Sequence, residues 1–215
     1  MNRGPFIFIG AFILIASTWA LLVQLPVMQG GNLEAYEVDG VLQPDALPGL
    51  AQKGREVYQE LGCVQCHTQQ VRLTSGSDLA RNWGSRQSVA RDYIGEEVAF
   101  LGSVRIGPDL SNVGYRRPDP DWHLRHFYNP RMVLEGTRNY SFSNMPSFSF
   151  LYDKREIVGE PSDKALKLEG EYAVEEGYEV VPSLKAEALV AYMLSLKVDY
   201  DLPEAPDPVK IDPAR

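Results

Sequence analysis

Residues 54–67 read Gly54-Arg55-Glu56-Val57-Tyr58-Gln59-Glu60-Leu61-Gly62-Cys63-Val64-Gln65-Cys66-His67. The last five are C-x-x-C-H, the attachment signature of c-type haem. In that chemistry each cysteine holds one vinyl group of the porphyrin through a thioether, and the adjacent histidine is the proximal iron ligand. The spacing lets both sulfurs reach one macrocycle from a single helical turn. Val57, Leu61 and Val64 recur at i, i+4 and i+7, which predicts a helix with one apolar face over about 51–62. A thioredoxin-like C-x-x-C needs a βαβ context that this stretch lacks. The two cysteines are the chain's only ones, too few for a disulfide framework or a structural zinc site. The expected cofactor is therefore one covalent haem c on Cys63, Cys66 and His67.

Iron then needs a sixth ligand, and a methionine from a later loop raises the potential relative to a second histidine. Met193 shares an apolar stripe with Leu189 and Leu196, and Met132 precedes Val133 and Leu134, so packing explains both. Met145 sits instead in Y-S-F-S-N-M-P-S-F, an aromatic loop ending in Pro146 and suited to present a sulfur to the iron. Met145 is the expected ligand, with His126 the runner-up. His123 and His126 fall in D-W-H-L-R-H-F-Y, a short helix stopped by Asn129-Pro130, and read as surface or interface histidines. Between the two ligands lies Gly107-Pro108-Asp109-Leu110. Proline offers a carbonyl on a stiff backbone, so Pro108 is the candidate acceptor for the second ring nitrogen of His67.

Phe6 to Val27 form a nearly uninterrupted apolar run. About 20 such residues cross the ~30 Å hydrocarbon core as a helix, and the run exceeds the usual apolar region of a cleaved leader. Arg3 precedes it, while Glu34, Glu37 and Asp39 follow. The positive-inside rule places the N-terminus in the cytoplasm and the remainder on the periplasmic side of an inner membrane, crossed once.

The expected fold is mainly α, a single N-terminal transmembrane helix followed by a class I-like cytochrome c domain with long loop insertions. The expected boundaries are an anchor at 1–29, a linker at 30–50, the monohaem cytochrome c domain at 51–198, and a Pro-rich tail at 199–215. Within the domain, 68–106 is an insertion expected to cover the haem edge and meet a partner. Residues 153–182 are a second, charge-rich insertion expected to be a solvated excursion, with a short hairpin about Gly177. Ser183 is a candidate cap for a helix running to about Lys197 and packing on the helix before Cys63. The tail is either disordered or an extended strap across a neighbour. Net charge of −8 over 215 residues argues against nucleic acid and permits a basic soluble partner.

Taken together, the anchor, G-R-E-V-Y-Q-E-L-G-C-V-Q-C-H-T-Q, V-R-I-G-P-D-L-S-N-V-G, D-W-H-L-R-H-F-Y-N-P-R and S-N-M-P resemble subunit II of cbb3-type cytochrome c oxidases. The resemblance covers about residues 1–152 and the final helix. It implies a membrane-anchored monohaem subunit with Cys63 and Cys66 on the haem, His67 and Met145 as axial ligands, and Pro108 as the proline of G-P-D-L. It also implies partners: a cytochrome c donor, a haem–copper catalytic subunit whose haem b accepts the electrons, and other membrane subunits. The text before G-P-D-L, the 153–182 excursion and the tail depart from the family pattern. They leave open a cytochrome subunit of a related complex such as nitric oxide reductase. A free membrane-tethered shuttle and a peroxidase are further alternatives, the last requiring an open iron position that a Met145 ligand closes.

Overall fold

The computed structural model describes residues 3–72, 78–132 and 142–205. The end of the tail, part of the first insertion and the start of the Y-S-F-S-N-M-P-S-F stretch lie outside the described residues. The chain is mainly helical with two small antiparallel sheets. It opens with a continuous apolar helix, α1 (Gly4–Trp19), a π segment (Ala20–Gln24) and α2 (Leu25–Gly30). This helix is long and apolar enough to cross a membrane, and none of it is buried against the rest of the chain. Pro26 explains the π segment. Its ring clashes with the carbonyl four residues back, and one wider turn, in which the Leu25 N–H donates to Ala20 O, makes room without ending the helix.

The expected linker is more ordered than its composition implies. Tyr36–Val38 (β1) pairs with Val41–Gln43 (β2) around Asp39-Gly40, whose φ values of 50° and 81° are those of a tight two-residue hairpin turn.

The core is built on α3 (Gly49–Glu60) crossing α6 (Leu184–Ser195). Ala51, Val57 and Tyr58 face Ala188, Leu189, Tyr192 and Met193, all buried; each such large apolar side chain contributes about 1.5–3 kcal/mol. Gly54 permits the close crossing, since a Cβ there strikes the Ala188 carbonyl and lies 2.8 Å from the Tyr192 Cβ. Ser183 caps α6, accepting from the Ala186 N–H at 3.4 Å. The packing role read for Met193 and Met132 holds, both being buried.

Two expectations for residues 153–182 are corrected. Residues 153–182 contain no local hairpin about Gly177; Tyr178–Pro182 (β4) pairs instead with the distant Tyr152–Glu156 (β3). The alternation before Gly177 is spent on a 3-10 turn at Gly170–Tyr172, while Arg155 and Glu179 pair across the strands at 2.8 Å. Nor is the segment merely solvated: Val180 and Val181 are buried, and Leu166, Leu168 and Val174 pack on the core. The tail, as far as residue 205, packs on its own chain. Leu202 and Ala205 are buried, Tyr200 O accepts from Arg86 Nε at 2.7 Å, and Tyr200 Oη donates to Asp92 at 3.0 Å.

Candidate haem-binding site

Helix α3 stops at Gly62, whose φ of 68° suits glycine. The chain then makes one turn, Cys63–Gln65, in which the Cys66 and His67 N–H groups both donate to Cys63 O at 3.1 and 3.0 Å. This closure gathers Cys63, Cys66 and His67 on one turn. Both cysteines are half-buried. Burial, and secondarily the neighbouring Cys66, pushes the Cys63 thiol up to about 11, so it stays protonated at neutral pH.

His67 Nδ1 lies 2.8 Å from Pro108 O. A carbonyl only accepts, so in this bond Nδ1 carries the proton and the neutral ring keeps its lone pair on Nε2. Burial lowers the His67 pKa, which favours that neutral form. Gly107 lets the ring approach: a Cβ there would lie 2.7 Å from Nδ1 and 2.8 Å from Nε2.

Above this turn, α5 (Pro120–Tyr128) is capped by Asp119, which accepts from the Asp121 N–H at 3.0 Å. The reading of its histidines as surface or interface groups is corrected for His123. His123 is only 2 % exposed and its Nε2 lies 2.8 Å from Arg117 O, so that nitrogen is already committed. His126 stacks on Trp122 at 4.5 Å. Burial holds its pKa down to about 4, with His123, His67 and Arg117 adding to the shift. The end of α5 carries the Met145 loop. Phe148 N–H donates to Phe127 O at 2.9 Å, and Ser147 Oγ donates to Tyr128 O at 2.5 Å. Met145 and Cys63 both belong to the half-buried rim of the core, with Leu61, Val64, Leu124, Tyr128 and Phe148.

The donor set therefore fits a c-type haem. Two thiols flank one turn, a neutral imidazole keeps a lone pair for a metal, a thioether sits on a loop carried by the adjoining helix, and the rim is apolar. One part of the site was quoted from the sequence without a role. Asp109 and Asp78, both fully buried, share Arg105 directly behind His67. Only the polar text R-I-G-P-D-L hinted at it.

No curated relative matches the chain. The family described as cytochrome C oxidase, mono-heme subunit/FixO matches residues 1–189, which take in the apolar helix, the C-x-x-C-H turn, Pro108 and Met145. The chain belongs to this family of mono-haem cytochrome c oxidase subunits.

Proposed function

We propose that the chain binds one haem c covalently through Cys63 and Cys66 in a class I-like cytochrome c domain, with His67 and Met145 as axial ligands. In that state it relays single electrons from a cytochrome c donor to haem b of a haem–copper catalytic subunit. When bound, the haem supplies a one-electron iron couple. The chain's own residues do the rest. Cys63 and Cys66 fix the macrocycle edge on, Pro108 O orients the His67 ring and raises its basicity, and the half-buried apolar rim excludes water. Met145 raises the potential relative to a second nitrogen ligand and closes the position that peroxidase chemistry needs.

The observation that carries the reading is His67, which directly follows Cys66 and has Nδ1 tied at 2.8 Å to Pro108 O, leaving Nε2 for iron. The family description supports an oxidase complex as the setting. Arg3 before the apolar helix and Glu34, Glu37 and Asp39 after it support a cytoplasmic N-terminus and a periplasmic haem domain.

Met145→Leu tests the ligand set. The chain should keep its haem through denaturing electrophoresis but lose the methionine–iron charge-transfer band, with a lower midpoint potential. An unchanged band and potential remove Met145 from the site, and haem that dissociates from the wild-type chain on denaturation removes the thioethers. Purification in mild detergent should bring down a haem b and copper protein with the chain; isolation of the chain alone would favour a shuttle.

A further inference from the structure

Residues 66–70 and 105–111 run side by side directly behind His67. Gly107 N–H donates to Cys66 O at 3.0 Å and Leu110 N–H donates to Thr68 O at 2.8 Å. The Pro108 carbonyl, which receives His67 Nδ1, lies between these two bonds. Its aim at the imidazole therefore depends on how firmly the two segments are held in register.

Asp109, the next residue, supplies that hold. Its carboxylate accepts from Thr68 Oγ1 at 2.5 Å, from Gln70 N–H at 2.8 Å and from Ser111 N–H at 2.9 Å. The side chain after Pro108 is thus bolted to residues just after His67. Arg105 closes the assembly, donating to Thr68 Oγ1 at 2.8 Å, to Gln70 O at 2.7 Å and to Asp78 at 2.6 and 2.7 Å, with Asp109 at 3.6 Å. From the other side the Arg116 guanidinium donates to the main-chain carbonyl of Asp109. Asp78 and Asp109 are both 0 % exposed. Burying two carboxylates around one guanidinium is a poor route to stability, since apolar packing of similar volume does as well. Directional bonds give geometry that apolar packing does not.

We propose that Asp109, held by Thr68 and Arg105, is a positioning residue that keeps the Pro108 carbonyl on His67 and thereby sets the reduction potential of the group His67 binds. The proposal rests on His67 as the proximal ligand. A firm Nδ1–H···O=C bond raises imidazole basicity and favours the oxidised metal. Loosening it raises the potential. Loss of the Asp109 charge acts in the same direction, so the decisive variant is one that removes no charge.

That variant is Thr68→Val, which deletes the hydroxyl between Asp109 and Arg105 at nearly constant volume. Redox titration of the full chain in its purified complex should show a higher potential for Thr68→Val and for Asp109→Asn. Thr68→Ser, which restores the hydroxyl, should return to the wild-type value. The proton shift of His67 Nδ1–H should move in Thr68→Val and not in Thr68→Ser. If Thr68→Val melts at a lower temperature with unchanged potential and proton shift, Asp109 is only a structural staple and the proposal is overturned. If Asp109→Asn does not accumulate, the two Thr68 variants alone decide. Absence of covalent haem from the wild-type chain would instead sink the His67 reading on which the proposal stands.

Discussion

Gly107→Ala tests how tightly the chain grips His67. The backbone at 107 tolerates alanine, since its φ lies outside the left-handed region that favours glycine. The nearest obstacle is the imidazole, whose Cε1, Nδ1 and Nε2 would sit 2.2, 2.7 and 2.8 Å from the new methyl group. Non-bonded heavy atoms rest at about 3.5 Å or more, so the ring must retreat by about 1.3 Å. A retreat of that size away from residue 107 lengthens the 2.8 Å bond to Pro108 O to about 4 Å, past the range of a real N–H···O bond. Overpacking costs about 1–3 kcal/mol and the lost hydrogen bond about 1 kcal/mol. For a chain of this size the sum corresponds to a fall in Tm of roughly 5–15 °C. The control is Gly49→Ala, where a Cβ meets nothing within 4 Å. Thermal melts and redox titration of both variants in the purified complex decide the matter. Gly49→Ala should match the wild type, while Gly107→Ala should melt lower and show a raised potential. A Gly107→Ala protein with wild-type Tm and potential would refute the claim that the ring is held against residues 107 and 108.

Two further outcomes are expected. Arg86 and Asp92 form an ion pair at 2.8 Å with side chains only 2 % and 1 % exposed, so Arg86→Met strands a buried carboxylate and should cost about 3–5 kcal/mol. It should also free residues 199–205 to limited proteolysis, because Arg86 holds Tyr200 O; a variant with unaltered Tm and cleavage pattern would contradict this. The second concerns acid. Burial pushes the His123 pKa from 6.5 down to about 4, so between those values the unfolded chain binds a proton that the folded chain does not. Stability should therefore fall as pH drops from 6.5 to 4, by up to about 3 kcal/mol from this group. His123→Gln should flatten that part of the Tm profile, and an unchanged slope would show that His123 titrates normally in the fold.

Much of the helical frame is legible because its causes are local. The period of Val57 and Leu61, the capping Ser183, and the Asn129-Pro130 stop each act within a few residues. The errors share the opposite cause. The partner of β4 is β3, more than twenty residues upstream, and the choice between it and the nearer E-Y-A-V text turns on burial of Val180 and the Arg155–Glu179 pair. His123 reads as polar and therefore exposed, yet Arg117 O satisfies its ring and allows it to be buried. The Asp39-Gly40 hairpin is a different case. Its turn signal is present in the sequence, but the strands on either side are only three residues each.

The same contrast runs through the haem-binding region. C-x-x-C-H is readable because one turn holds all three residues. Of what orients His67, the Pro108 carbonyl is legible from G-P-D-L, but the Asp109 clamp is not, because it reaches Thr68 from 41 positions away. The insertion at 68–106 is held by long-range polar links as well as by the buried Val71 and Phe100. Arg105 joins it to Asp78 across 27 positions, and Arg86 joins it to Tyr200 across 114. A segment ordered in this way transmits a change at either end, because a buried ion pair that loses one partner leaves an uncompensated charge. Substitutions at 78, 105 or 109 should therefore disturb His67 as strongly as substitutions in the turn that carries it, although none of these residues lies in the attachment motif.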